Sequence, residues 1–166
     1  MPLERPTLHM VYGNIAAGKS TLTAQLGQAD NTVVIAEDTW LSALFGDQMH
    51  SVQDYVRCST KLRTVMGSHV KDLLQASISV VLDFPANTPD ARAWMRSIFE
   101  DAEADHVLHV LDVPDEVCLD RLRARNAQGT HPFSVTEAQF RQISKHITRP
   151  AVEEAFTIQL HQNRPI

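Results

Sequence analysis

The sequence predicts a three-layer α/β fold, a parallel sheet held between two layers of helices. Three observations predict it. Short apolar runs recur at 8–12, 32–36, 78–83 and 107–111, with a weaker one at 157–160; runs that are apolar throughout suit strands covered on both faces. Segments with a helical repeat lie between these runs, and such alternation is the pattern of a parallel sheet. A glycine-containing loop joins the first run to the first helical segment.

That first unit carries the most chemistry. Leu8-His9-Met10-Val11-Tyr12 precedes Gly13-Asn14-Ile15-Ala16-Ala17-Gly18-Lys19-Ser20, which fits G-x-x-x-x-G-K-[S/T], and Ser20-Thr21-Leu22-Thr23-Ala24-Gln25-Leu26 can open a helix. Strand, loop and helix in that order are the setting in which this pattern cradles nucleotide phosphates. Backbone N–H groups and the positive end of the helix attract phosphate oxygens. Gly13, Asn14, Ile15, Ala16, Ala17, Gly18, Lys19, Ser20 and Thr21 are therefore expected to hold ATP or GTP. Lys19 would reach the β- and γ-phosphates, and the Ser20 hydroxyl would hold Mg²⁺.

The run at 32–36 leads directly into Glu37 and Asp38. Carboxyl ends of parallel strands line the ligand crevice, so both carboxylates should emerge there. Asp38 is the expected base for the proton of a substrate hydroxyl; the competing reading makes it the N-cap of a helix over 39–45. A long helical pattern follows, with Val52, Tyr55, Val56, Leu62, Val65, Met66, Val70, Leu73 and Leu74 returning every three or four residues. Residues 38–75 thus form the expected substrate-side helical region. Trp40, Leu44, Phe45 and Tyr55 could wall a pocket there or belong to the core.

The run at 78–83 ends on Asp83, a Walker-B-like position expected to join Ser20 in holding Mg²⁺; the alternative is a carboxylate capping the turn before Pro85. Helices fit 90–102 and 115–125, with Pro89 and Pro114 near their starts, where proline is tolerated. Arg121 and Arg125 lie four apart and share a face, while Arg123 points elsewhere. Residues 125–129 are expected to break the helix into a polar segment ending near Pro132, making 121–133 a lid that brings positive charge to a transferring phosphoryl group. Ser134-Val135-Thr136-Glu137 reads as a capping box opening a helix to about residue 146. Pro150 then starts a final short helix.

Composition narrows the function classes. A chain of 166 residues suits a single domain, 1–166, with its own core. The net charge of −5 counts against a general nucleic-acid binder, whose affinity rests on many Lys/Arg–phosphate contacts. Cys58 and Cys118 read as buried thiols in a reducing compartment. No stretch approaches the ~20 apolar residues of a membrane span, so a soluble, cytoplasmic protein without a membrane partner is expected. His106 and His109, three apart on a strand, should face opposite ways and so make poor joint metal ligands.

Several of these motifs together resemble a known group: residues 13–21, Glu37-Asp38, Val81-Leu82-Asp83 with Asn87-Thr88 and Arg92-Ala93-Trp94, and Leu111-Asp112-Val113-Pro114 leading to Arg121-Leu122-Arg123-Ala124-Arg125-Asn126. The chain is similar to the small P-loop kinases and kinase-like ATP-binding proteins, the AAA_33 or zeta-toxin/polynucleotide-kinase-like group that includes chloramphenicol phosphotransferase. The resemblance implies a P-loop NTPase fold whose five-stranded parallel sheet has the order 2-3-1-4-5. It also implies ATP and Mg²⁺, Asp38 as base, Arg121 over the nucleobase and Arg125 on the phosphates. Two departures bear on the acceptor: polynucleotide kinase relatives carry arginines where this chain has Leu41 and Gly129-Thr130. The expected activity is transfer of the ATP γ-phosphate to a small-molecule hydroxyl, with Lys19, Asp38 and Arg125 as catalytic residues. Alternatives are a nucleotide-dependent switch with weak ATPase activity, or a kinase for a nucleic-acid 5′-hydroxyl or a nucleotide sugar.

Overall fold

Five parallel strands form one sheet in the order β2-β3-β1-β4-β5. They are β1 (Thr7–Tyr12), β2 (Thr32–Ala36), β3 (Ser79–Pro85), β4 (Asp105–Asp112) and β5 (Ile158–Gln162). The helices are α1 (Lys19–Leu26), α2 (Glu37–Phe45), α3 (Val52–Gln75), α4 (Pro89–Asp101), α5 (Asp115–Gln128) and α6 (Glu137–Ser144). The computed structural model describes residues 5–129 and 134–162.

Alternation along the central strands sorts the core into two layers. Leu8, Met10, Val80, Leu82, Leu108 and Val110 pack against Leu62, Met66 and Val70 of α3 and Met95, Ile98 and Phe99 of α4. Val11 and Leu111 point the other way, onto Leu22 of α1, Cys118, Leu119 and Leu122 of α5, and Phe140 of α6. Both cysteines are buried, free thiols. Cover on both faces, expected for every strand, holds for β1, β3 and β4 only. Val33 and Val34 of β2 and Ile158 and Leu160 of β5 are exposed, because an edge strand has a neighbour on one side alone.

Local chemistry sets the element ends, with some departures from expectation. Ser51 caps α3 by accepting from the Asp54 N–H, and Thr88 caps α4 ahead of Pro89 in the first turn. The buried stripe of α3 is Cys58, Leu62, Met66, Val70 and Leu74 at strict four-residue spacing. Val52, Val56 and Val65, which share the broader periodicity, face solvent. β3 continues two residues past Asp83. The capping box of α6 is Thr136 with Gln139, two residues later than expected, since those two side chains bond each other's backbone reciprocally. The expected last helix is one 3-10 turn, Val152–Glu154.

That turn has a structural purpose. The fully buried guanidinium of Arg92 on α4 donates to both Glu154 oxygens, at 2.8 and 3.1 Å, and to the carbonyls of Ala86 and Thr148. A buried arginine is tolerated when its donors are satisfied in this way. It locks the segment after α6 onto the end of β3.

β1, β4 and β5 also align three imidazoles on the α1/α5 face. His9 Nδ1 lies 2.9 Å from His109 Nε2, and His109 Nδ1 lies 3.0 Å from His161 Nε2. Neutral His109 has one N–H, so it donates along one of these contacts and accepts along the other. His106, on the opposite face, stacks on Phe99. Burial lowers the pKa of His9 from the ordinary 6.5. The unfolded chain then binds more protons than the folded one in mild acid, so stability is full above 6.5 and declines as pH falls through that value. Urea midpoints measured between pH 7.5 and 5.5 are expected to fall, and to fall less in His9→Gln; equal slopes would remove His9 as a source.

Candidate active site

The loop after β1 is shaped by its own backbone conformation and by contacts from neighbouring elements. A Cβ on Gly13 would lie 3.1 Å from the Leu111 Cβ and 3.3 Å from the Ala17 Cβ, so a side chain here would force one of them to give by a few tenths of an ångström. Ala16 (φ 63) and Gly18 (φ 101) adopt the left-handed backbone that turns successive N–H groups toward one point, an anion nest. Ala16 is the costly member, since its Cβ disfavours that conformation. Gly18 starts α1 without a side-chain cap, which leaves first-turn N–H groups open to an anion.

Side chains from elsewhere fix this loop. Asn87 accepts from the Gly13 N–H at 3.1 Å and donates to the Gly13 carbonyl at 3.0 Å, imitating a strand pairing. Lys19 Nζ donates to the same carbonyl at 3.1 Å. Asn14 accepts from the Ile15 N–H and donates to Asp115 at 3.1 Å and Ser144 at 2.8 Å. The loop is thereby tied to the start of α5 and the end of α6. Ile15 and Ala16 pack on that side, while Ser20 is exposed and Thr21 half-buried.

The sheet brings three carboxylates to this edge. Asp83 stands level with Ala36 of β2. Pairing of β1 with β3 shifts between Met10 and Val11, which meets Pro85, so β3 bulges at 83–84. Burial raises the Asp83 carboxyl pKa, and Lys19 opposes the rise. Burial lowers that of Lys19, against the pull of Asp83, Asp38 and Glu37. The neighbours Glu37 and Asp38 differ sharply. Glu37 is 2% exposed and accepts from the Tyr55 hydroxyl and, at 3.1 Å, from Ser59. Burial raises the pKa of Glu37, and burial followed by the Glu37 charge raises that of Tyr55. Asp38 is exposed and makes no hydrogen bond or ion pair among the described residues. It is not the N-cap: α2 begins at Glu37 with Ala36 as its cap residue, because the strand runs into the helix without an intervening turn. Asp38 lies instead in the first turn, where the helix dipole favours a carboxylate.

α5 supplies the positive side. Arg121 Nη1 donates to the Ala16 carbonyl at 3.4 Å. Arg125 is half-buried, with its Nε shielded and unpartnered; burial lowers its pKa and Asp38 opposes that. Arg123 faces outward onto Asp120 and Glu137. The helix is not broken at 125–129 as expected. It runs to Gln128 and closes on Gly129, whose left-handed φ of 63 lets its N–H cap the Arg125 and Asn126 carbonyls. The remainder of the expected lid, 130–133, lies outside the described residues.

Lys19, Asp38, Asp83 and Arg125 therefore share one electrostatic neighbourhood beside the nest. The expected pocket wall is only partly there: Phe45 packs on the core, Leu44 faces solvent, and Tyr55 is engaged by Glu37. Sequence reading missed Asn87, Ser59 and Arg63. Tyr55, Ser59 and Arg63 sit four apart on a helix, a polar row flanking the buried stripe, and that spacing was available as a signal. Among the described residues no group of three or more His, Cys, Asp or Glu could hold a metal, and no helix is long and apolar enough to cross a membrane. A serine hydroxyl and a carboxylate, as at Ser20 and Asp83, are donors of the kind Mg²⁺ takes, since it accepts few protein oxygens and completes its shell with phosphate and water.

The sheet order and the loop between β1 and α1 are those of a P-loop NTPase-like fold. The chain belongs to the AAA_33 family (AAA domain), whose family model matches residues 8–150. A kinase candidate from Chloroflexus aurantiacus is similar at TM-score 0.75 and 18% identity, over 95% of this chain and 85% of that one. The Mycobacterium tuberculosis APS kinase CysC, solved with AMPPNP and APS, is similar at TM-score 0.62 and 19% identity, over 98% and 91%. A chain of the Pnkp1/Rnl/Hen1 RNA repair complex matches at TM-score 0.67 and 23% identity, over 85% of this chain and 43% of that one. No curated protein matches significantly in sequence.

Asn87→Ala removes two hydrogen bonds to Gly13, each worth about 0.5–1.5 kcal/mol, and is expected to weaken MgADP binding about tenfold in calorimetry. Unchanged affinity would show that the loop keeps its shape without Asn87.

Proposed function

We propose that this protein is an ATP-dependent kinase that transfers the γ-phosphate to a hydroxyl of a small molecule. The observation that carries this reading is the contrast between adjacent carboxylates: Glu37 is buried and held by two hydroxyls, while Asp38 stands exposed and unpartnered beside Lys19, Asp83 and Arg125.

The positions support these roles, and the family resemblance supplies those of Arg121 and Arg125. Amides of the phosphate loop and the first turn of α1 that are not already held by Asn14 or Asn87 grip the triphosphate, and Lys19 exchanges its bond to the Gly13 carbonyl for β- and γ-oxygens. Ser20 and Asp83 would hold Mg²⁺, which neutralises phosphate charge. The acceptor oxygen bonds to the γ-phosphorus as the bond to the β–γ bridging oxygen breaks. Asp38 takes the hydroxyl proton, and ADP keeps the electron pair of the broken bond. Arg125 N–H groups meet the charge on the moving phosphoryl, while Arg121, resting on the loop at Ala16, covers the nucleobase side. Little covalent chemistry is asked of the protein, so positioning and charge do most of the work.

A small acceptor is favoured by the net charge of −5 and by Leu41 and Gly129 in place of arginines. The APS kinase and the Sinorhizobium meliloti gluconokinase among the similar structures are in keeping with that choice, while the RNA repair chain keeps a nucleic-acid acceptor as the second reading.

In a screen of hydroxylated metabolites with γ-labelled ATP, Asp38→Ala is expected to lose about 10²–10⁴-fold in transfer while binding MgADP as before. Undiminished transfer would remove Asp38 as the base.

A further inference from the structure

Arginines in this chain are, as a rule, satisfied. Among the described residues, Arg5, Arg57, Arg92, Arg96, Arg123, Arg141 and Arg149 form ion pairs, and Arg121 bonds the phosphate loop. Arg63 and Arg125 differ: each has a shielded Nε without a hydrogen-bond partner. Arg125 belongs to the nucleotide side. Arg63 does not.

Arg63 lies on α3, one turn after Ser59 and two after Tyr55, on the row that holds Glu37. Its guanidinium carbon lies over the Trp94 ring, 5.3 Å from the centroid, within the range of a cation–π contact. Trp94 is itself fixed, against Phe84 on one side and α3 on the other. A Cβ on Gly67 would come within 3.3 Å of the indole Nε1. The cation is therefore placed with little freedom. Among the described residues no ion pair joins it to Glu37, whose oxygens accept from Tyr55 and Ser59, although Glu37 lies close enough to feel its charge.

A structural arginine in this fold looks like Arg92, with every direction answered by a carboxylate or carbonyl. Arg63 has an aromatic support, and its shielded Nε has no acceptor. A guanidinium carries five N–H donors whose fork matches a planar or tetrahedral oxyanion. Its place beside Glu37, the residue before the proposed base, puts it on the acceptor side.

We propose that the acceptor carries an anionic group, a carboxylate, sulfate or phosphate, in addition to the hydroxyl that is phosphorylated, and that Arg63 binds it. This rests on the kinase reading for the word acceptor, while the anion site itself does not. Arg63 then selects the substrate, and Asp38 acts on its hydroxyl.

Trp94 reports on the site directly. The chain has two tryptophans, so Trp40→Phe leaves Trp94 as the sole indole beneath the guanidinium. With the phosphate loop filled by MgADP, and at constant ionic strength set with chloride, sulfate, inorganic phosphate and malonate are titrated against Trp94 emission. At least one is expected to give a saturable change, weakened at least about tenfold in Arg63→Gln and less in Arg63→Lys, which keeps the charge without the fork. No saturable response to any of the three, or the same response in Arg63→Gln, overturns the proposal. Transfer assays on matched acceptors, glycerate against glycerol and their longer homologues, separate the two readings. Transfer to neutral members with a silent Trp94 refutes the anion site and leaves the kinase. A saturable Trp94 response with no transfer to any acceptor refutes the kinase and leaves the anion site.

Discussion

The close approach of Gly13 to β4 is the constraint on which the rest depends. Its carbonyl accepts from both Asn87 and Lys19, and its N–H is held by Asn87. Any side chain at this point would meet Leu111. The order β2-β3-β1-β4-β5 puts β1 at the centre, so the loop leaves the sheet with β3 on one side and β4 on the other. Asn87 comes from the β3 side and Leu111 from β4. The nest is thus held by its two flanking strands, which lets it present backbone N–H groups to a ligand without collapsing onto its own carbonyls.

The site opposes the folding of its own charges. Burial drives Lys19, Glu37 and Asp83 toward their neutral forms; Lys19 and Asp83 oppose that for each other, and Tyr55, Arg63 and Ser59 oppose it for Glu37. Such groups are found together where charge is put to use. Stability comes from elsewhere: the two apolar layers, and the Arg92–Glu154 lock that ties the end of β3 to the segment after α6. The Asn14 bonds to Asp115 and Ser144 carry the same coupling to the phosphate loop. Changes in α5 or α6 therefore reach the nest through Asn14, and those in α5 also through Arg121.

Much of this was legible in the residues. The apolar runs located all five strands, and the glycine pattern located the nest, because both are local properties of the chain. The motif resemblance supplied the strand order. What escaped was set by distant partners. That Glu37, and not Asp38, is buried depends on two hydroxyls from a helix 18 and 22 positions away. The exposure of Val52, Val56 and Val65 depends on where α3 meets the sheet. α5 continues through a polar stretch because Gly129 can close it, and a polar stretch with a glycine reads equally well as a break. Asn87 was visible only as part of a motif; its hold on Gly13 needs the β1–β3 pairing to exist.

The central claim is that residues 13–20 grip a triphosphate tail. Calorimetry of the purified protein with ATP in millimolar Mg²⁺ tests it most directly, run beside Lys19→Glu. Saturable binding at one site, lost on charge reversal, is the predicted result. Absence of ATP and GTP uptake by the unmodified chain, or equal uptake by Lys19→Glu, would contradict the account.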